Sequence, residues 1–410
     1  MDFPSARIVF FVVLLVYLLA QLYLFLRIRD YLSIRVQDQK QKKLLLGLVA
    51  FFFLLMLYPL AWRAVSGLRL YEPFPSALRG FLAFWVVGSM GSALVLLAYD
   101  FCRRFVRLSS KRPVEPDLQR RDFLKKGVSV AAATPFLISG YGVLLGRYRF
   151  QVEHFDLPLN GLSSALSQLS IVHLTDIHVG PFMPEEELAA YVEAVNRLEP
   201  DIIALTGDFV SSSRDEVAPC VDTLAGLKAR YGIFACMGNH DVFAHVDDEL
   251  TRLFSQTGVR VLRNDAIPVR VGNTTLNILG IDDLRWGKPD LARALKVTQK
   301  EPGEVRLLLS HRPEVFPDAA RKGLDVVLSG HYHGGQVKLG PDPESISIAR
   351  LITPYAEGLF HLSRRVRPSG ADPKDAVLFV SRGIGITGLP IRINCPPQIA
   401  HLRLVNSRKV

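Results

Sequence analysis

The chain has 410 residues, too many for one ordinary domain and suited to two or three, with 49 Lys and Arg against 39 Asp and Glu. The formal net charge of +10 is unevenly spread: residues 1–146 hold 19 basic and 8 acidic side chains, and the remainder holds 30 and 31. A basic half beside a neutral half argues against a nucleic-acid enzyme and for charge placed around membrane spans.

In chain order, four uncharged and mostly apolar runs come first: residues 8–26, 44–62, 81–99 and 127–146. Crossing the hydrocarbon core as a helix takes roughly 20 residues, so each run predicts a transmembrane helix. The fourth is less apolar and contains Pro135 and several glycines. Six basic residues fall in 27–43 and nine in 100–126, against three in 63–80 and one in the N-terminal tail. Basic loops stay in the cytoplasm, which places both the N-terminus and everything after residue 146 on the other side of a cytoplasmic membrane. The run Arg120-Arg121-Asp122-Phe123-Leu124-Lys125 resembles a twin-arginine export signal placed, unusually, behind three spans. No clear A-x-A cleavage site comes after it, so the fourth run is expected to stay as an anchor.

From Ser170 the pattern changes to strands alternating with helices. Strands are predicted at 170–175, 201–206, 231–237, 275–280, 305–310, 325–329, 376–381 and 398–405. Helices are predicted at 185–198 and near 217–229, the first with three glutamates at its start and Pro200 beyond its end. This is α/β layering, with residues 147–410 expected to form the second domain. The four cysteines, Cys102, Cys220, Cys236 and Cys395, form no C-x-x-C pair and imply no disulfide.

The chemistry lies in the loops at the strand ends. Asp176-Ile177-His178 comes after the first strand, Gly207-Asp208 after the second, and Gly238-Asn239-His240-Asp241 after the third. His311 comes after the strand near 305–310, and Gly330-His331-Tyr332-His333 after the one near 325–329. Strand ends on one edge of a layered α/β fold can bring these loops into one cleft. Asp-x-His and His-x-His each put two side chains on one face of an extended segment. Carboxylate, imidazole and amide donors without a thiolate suit Mn²⁺, Fe or Zn²⁺, and Asp208 could bridge two such ions through its two oxygens.

In that order the five motifs resemble the calcineurin-like metallophosphoesterases, over roughly residues 165–408. His333-Gly334-Gly335-Gln336, Val380-Ser381-Arg382-Gly383, the stretch from Gly388 to Arg392, and Asn394-Cys395-Pro396-Pro397 resemble the membrane-linked, exported bacterial subgroup, whose relatives include UDP-2,3-diacylglucosamine hydrolases. The resemblance implies a four-layer αββα sandwich and two divalent metal ions. It gives Asp176, His178 and His333 to the first ion and Asn239, His311 and His331 to the second, with Asp208 between them. It places His240 beside the departing oxygen, with Asp241 steadying its ring.

The expected activity is hydrolysis of a phosphoester or pyrophosphate bond in a lipid-linked or envelope substrate, by an enzyme seated in the bilayer and not acting on nucleic acid. The UDP-2,3-diacylglucosamine hydrolase reaction is the alternative, which the orientation opposes because that substrate is cytoplasmic. A non-catalytic membrane sensor or scaffold is the other, opposed by the complete ligand set. His173 is expected to pack in its strand, and His361, Arg382 and Arg392 are weighed as substrate contacts.

Overall fold

The computed structural model describes residues 3–66, 75–109, 118–298, 301, 304–362 and 376–407, without the side chains of 3–10, 59–66, 118, 120 and 121. It divides into two compact units, Met1–Gly146 with Gly388–Ile393, and Arg147–Thr387 with Asn394–Val410.

The first unit has helices α1 (Phe3–Arg35), α2 (Gln39–Ser66), α3 (Ser76–Ser109) and α4 (Leu118–Tyr141), the last running into a π-helical turn at Gly142–Gly146. All four carry a stretch long and apolar enough to cross a membrane. The helices outrun the predicted spans because an apolar run marks only the hydrocarbon crossing. Helical hydrogen bonding continues into charged ends such as Arg27–Arg35. The Arg120-Arg121 pair lies in the first turn of α4, and its side chains fall outside the described residues.

Lipid tails are as apolar as leucine, so helices pack in a bilayer through close approach and internal hydrogen bonds. At Gly88 of α3 an added Cβ would lie 2.3 Å from the Phe136 ring of α4. Ser139 donates to the Phe84 carbonyl at 2.9 Å. Gln21 of α1 donates to Ser89 at 2.9 Å and accepts the Trp85 indole N–H at 3.1 Å. The unit also takes in Gly388–Ile393 from far along the chain.

The second unit is built on two six-stranded sheets. Its strands are β1 (Gln151–Leu159), β2 (Ser170–Leu174), β3 (Ile202–Thr206), β4 (Gly232–Cys236), β5 (Val259–Val261), β6 (Asp265–Val271), β7 (Thr274–Gly280), β8 (Val305–Leu309), β9 (Val326–Ser329), β10 (Gly358–Leu362), β11 (Ala376–Val380) and β12 (Gln398–Asn406). One sheet is ordered β1-β12-β2-β3-β4-β5 and the other β10-β11-β9-β8-β7-β6. Alternation along the strands separates three apolar layers. Ile171, Ile202, Phe234, Leu307, Leu328 and Phe379 meet between the sheets. On the outer face of the first sheet, Val172, Ile203 and Leu205 bury α5 (Glu185–Asn196), α6 (Val217–Leu224) and, beyond the short α7 (Asn239–Phe243), α8 (Asp247–Gln256). On the outer face of the second, Leu308, Val327 and Leu378 bury α9 (Leu291–Val297) and α10 (Phe316–Arg321). The result is the four-layer αββα sandwich. Each fully buried Leu, Ile or Phe contributes roughly 1.5–3 kcal/mol.

All eight predicted strands are present. Strands β1, β5, β6 and β10 carry no clear sequence signal, since each is short, at or near an edge, or half exposed. The helix expected at 217–229 stops at Leu224. Strands β2, β3 and β4 run parallel, as do β7, β8, β9 and β11, so the loops after them leave from a common edge of each sheet.

Candidate dinuclear metal centre

The five strand-end loops meet. Asp176, His178 and His333 form one cluster, Asp208, His311 and His331 another, and His178, Asp208 and His240 a third, each with ligand atoms within 4.8 Å of one another. The Nε2 atoms of His178 and His333 face each other at 3.2 Å. The same His333 nitrogen lies 3.2 Å from Asp176 Oδ1. Asp208 Oδ2 lies 3.5 Å from His178 Nε2 and 3.2 Å from His311 Nε2. His311 Nε2 is 3.1 Å from Asn239 Oδ1 and 3.2 Å from His331 Nδ1. All seven expected ligands therefore lie in one place.

Convergence strains the backbone. Asp176, His178, Asp208, His331 and His333 all adopt positive φ, between 51° and 77°. Non-glycine residues in that region cost on the order of 1–3 kcal/mol each and persist only where the surroundings dictate them. Those surroundings are tight. A Cβ on Gly330 would lie 2.1 Å from Asp176 Oδ2 and 2.3 Å from Thr175 Oγ1. Gly330→Ala is accordingly expected to push the Asp176 carboxylate off its position and lower metal content. Elemental analysis checks this, and a variant with undiminished metal would show that the loop has slack.

Two details differ from expectation. Asp208 presents one oxygen to both clusters, not one to each, because its Oδ1 accepts the backbone N–H of His240 at 2.7 Å. Asp241 does not steady the His240 ring. Buried at position N3 of α7, it accepts the backbone N–H groups of Asp208 (3.0 Å), Phe209 (2.8 Å), Val210 (3.3 Å) and Gly238 (2.8 Å). The ring of His240 is oriented instead by the Ser211 carbonyl, which accepts from Nδ1 at 2.6 Å. That bond puts the proton on Nδ1 and leaves Nε2 as the chemically available nitrogen.

Charge is set by burial and neighbours. Burial opposes ionisation of Asp208, yet the His311 and His240 side chains hold its carboxyl well below the usual carboxylate range. Burial likewise opposes ionisation of Asp176, and His333 and His311 hold it low. Burial pushes His178 and His331 well below their ordinary value, so both are neutral with a lone pair to give. Burial also works against protonation of His311, but Asp208 raises it to about 10. Its Nδ1 donates to the Thr206 carbonyl at 2.8 Å, which aims Nε2 at the cluster. Carboxylate oxygens, the lone pairs of His178 and His331, and the His311 imidazole, whose proton a bound cation would displace, form a buried donor set that divalent cations fit.

Of the other weighed residues, His173 is a packed strand residue that also bonds Thr206 Oγ1 at 2.8 Å, and burial drives it down to about 3. Arg382 pairs with Glu153 at 2.7 Å and donates to the Pro396 carbonyl at 3.1 Å, commitments that make it structural. His361 is exposed on the edge strand β10, while Tyr355 and Phe360 pack on the core behind the second sheet. Arg392 belongs to the helical unit. No disulfide joins the four cysteines, and the Cys395 thiol donates to the His333 carbonyl at 3.2 Å.

The sequence reading missed Arg312 and Asp283. Arg312 Nε donates to Asp283 Oδ2 at 2.8 Å, Nη2 donates to Asn239 Oδ1 at 3.1 Å, and Nη1 meets His331 Nε2. The only available signals are that Arg312 is the next residue after His311 and that Asp283 comes shortly after the end of β7.

Comparison with known proteins finds two family models and several relatives. A family model described as calcineurin-like phosphoesterase matches residues 169–335. One described as probable calcineurin-like phosphoesterase, transmembrane domain, matches residues 6–147. An uncharacterized metallophosphoesterase of Campylobacter jejuni is 26% identical over 96% of this chain and 97% of its own length. One of Helicobacter pylori strain 26695 is 30% identical over 70% of this chain and 71% of its own. A cattle (Bos taurus) protein, described as a transmembrane protein with metallophosphoesterase domain, is 26% identical over 78% of this chain and 69% of its own.

Proposed function

Since the chain belongs to the calcineurin-like phosphoesterase family and is a membrane protein, we propose that it hydrolyses a phosphoester or pyrophosphate bond at a site formed by Asp176, His178, Asp208, Asn239, His311, His331 and His333. The observation that carries this reading is the placement of Asp208 Oδ2 between His178 and His311, where one carboxylate oxygen can serve two cations. Two divalent ions held there supply a nucleophile at neutral pH and offset charge on the phosphoryl group. The donor set suits Mn²⁺, Fe or Zn²⁺. Asn239 contributes a neutral ligand, which keeps the cage from repelling an anionic substrate. His240, oriented through Nδ1 by Ser211, directs Nε2 at the reacting group and, when protonated, hands its proton to the departing oxygen.

Anchoring by four helices favours a substrate that is itself in or at the membrane, such as a lipid-linked or envelope phosphoester. The distribution of basic loops supports an extracytoplasmic catalytic unit in a cytoplasmic membrane. A C-terminal reporter that is active only in the cytoplasm tests this, and signal from it would reverse the assigned orientation.

The test of function is metal removal from the full chain in detergent, then addition of Mn²⁺ and a panel of nucleotide-lipids, phospholipids and aryl phosphodiesters. Activity on at least one member is expected to vanish with chelation and return with Mn²⁺. Chelator-resistant turnover, or none on any phosphorus ester, would remove the proposal. His240→Ala is expected to lower turnover by about a hundredfold or more while leaving metal content near its original level. Full activity in that variant would exclude His240 from the reaction.

A further inference from the structure

We propose that Arg312, anchored by Asp283, is a substrate-contacting residue that grips the phosphoryl oxygens; this rests on the phosphoesterase reading above. The placement of Arg312 is fixed at both ends. Its backbone continues directly from His311, and its carbonyl accepts from the Ser310 hydroxyl at 3.0 Å. Its side chain is only 7% exposed and is held at Nε by Asp283, which is itself fully buried. The other Asp283 oxygen accepts the backbone N–H groups of Arg285 at 3.0 Å and Trp286 at 2.9 Å, so this carboxylate cannot swing away with the arginine.

The anchor occupies one edge of the guanidinium and leaves the paired Nη1 and Nη2 end pointing at the site. Among the described residues, that end meets two neutral atoms, Asn239 Oδ1 and His331 Nε2. Arginine donates and never accepts, and its parallel N–H fork matches the spacing of phosphoryl oxygens. An amide oxygen and an imidazole are weak partners for it, and both residues are the ones proposed to give lone pairs to a cation. A neutral imidazole has one lone pair, so if His331 gave it to a cation through Nδ1, which faces His311, its Nε2 would carry a proton and could not accept from the arginine. A guanidinium next to two divalent ions is electrostatically unfavourable until an anion lies between them, so Arg312 selects for an anionic group at that point. The ligand class is a phosphate mono- or diester, gripped through its non-bridging oxygens on the side of Asn239 and His331.

The competing role for Arg312 is to position Asn239 and His331 for metal, and one experiment separates the two. Full-length protein in detergent, saturated with Mn²⁺, is compared as wild type, Arg312→Gln and Arg312→Lys. Inorganic phosphate binding is measured by calorimetry, metal content by elemental analysis, and KM and kcat with an aryl phosphodiester. Arg312→Gln is expected to retain its Mn²⁺ yet bind phosphate at least about tenfold more weakly, with Arg312→Lys recovering part of the loss. Phosphate affinity within about twofold of wild type, or a loss fully explained by missing Mn²⁺, overturns the assignment. Should Arg312→Gln fail to fold, Arg312→Lys and Asp283→Asn carry the test: each is expected to weaken phosphate binding at full metal loading, and unchanged binding in both overturns it. A wild-type protein that takes up no Mn²⁺ overturns the underlying reading and this assignment together. A wild-type protein that binds ion and phosphate, with variants that match it, overturns the Arg312 assignment alone.

Discussion

Replacing Asp208 by alanine is expected to reduce bound metal to one ion or none and to lower turnover by at least about a thousandfold. One Asp208 oxygen faces His178 at 3.5 Å and His311 at 3.2 Å, so its loss strips charge from both clusters at once. The other oxygen holds the His240 amide, so the loop that presents Asn239 and His240 loosens as well. Only Asp176 then remains as an anionic ligand among the seven. Asp208→Asn separates the two effects, since it keeps the shape and the acceptor for the His240 N–H but removes the charge. Elemental analysis and steady-state kinetics provide the check. Two ions retained, with turnover within about tenfold of wild type, would mean that the shared oxygen does not hold the pair together.

Asp241→Ala is expected to act on stability first. Its carboxylate accepts four backbone N–H groups, three from the Asp208–Val210 loop and one from Gly238, and it has no exposure to solvent. Alanine leaves those donors buried and unpaired, a loss of roughly 3–5 kcal/mol. For a unit of this size that corresponds to a melting temperature lower by about 10 °C. Asp241→Asn, which keeps one acceptor oxygen, should recover part of the loss. The melting curve of the purified chain decides. An unchanged melting temperature together with lost turnover would return Asp241 to the chemistry and away from this scaffolding role.

Asp241 also shows where reading from sequence stops. The family resemblance implied that Asp241 steadies the His240 ring, but neighbours in sequence need not touch. In the short helix α7 the two side chains leave in different directions, and Asp241 turns back under the Asp208 loop. The partner that orients His240 is the Ser211 carbonyl, 29 residues away, and a backbone carbonyl leaves no trace in residue types.

The sequence by itself determined the elements whose signals are local. Apolar runs long enough for a bilayer mark the four N-terminal helices, and alternating apolar residues mark the central strands. Metal-binding residue types at fixed spacings after those strands mark the site. These patterns depend on hydrophobic burial and on ligand chemistry, both of which act through side-chain identity. The tertiary structure alone decided what depends on distance and direction. It set which oxygen of Asp208 faces both clusters, and the positive φ at five of the seven candidate ligands. It turned Arg382 to Glu153 and brought Arg312 to Asn239 and His331. Such pairings join residues far apart in the chain, and the geometry of two packed sheets selects among many partners that composition leaves equally possible.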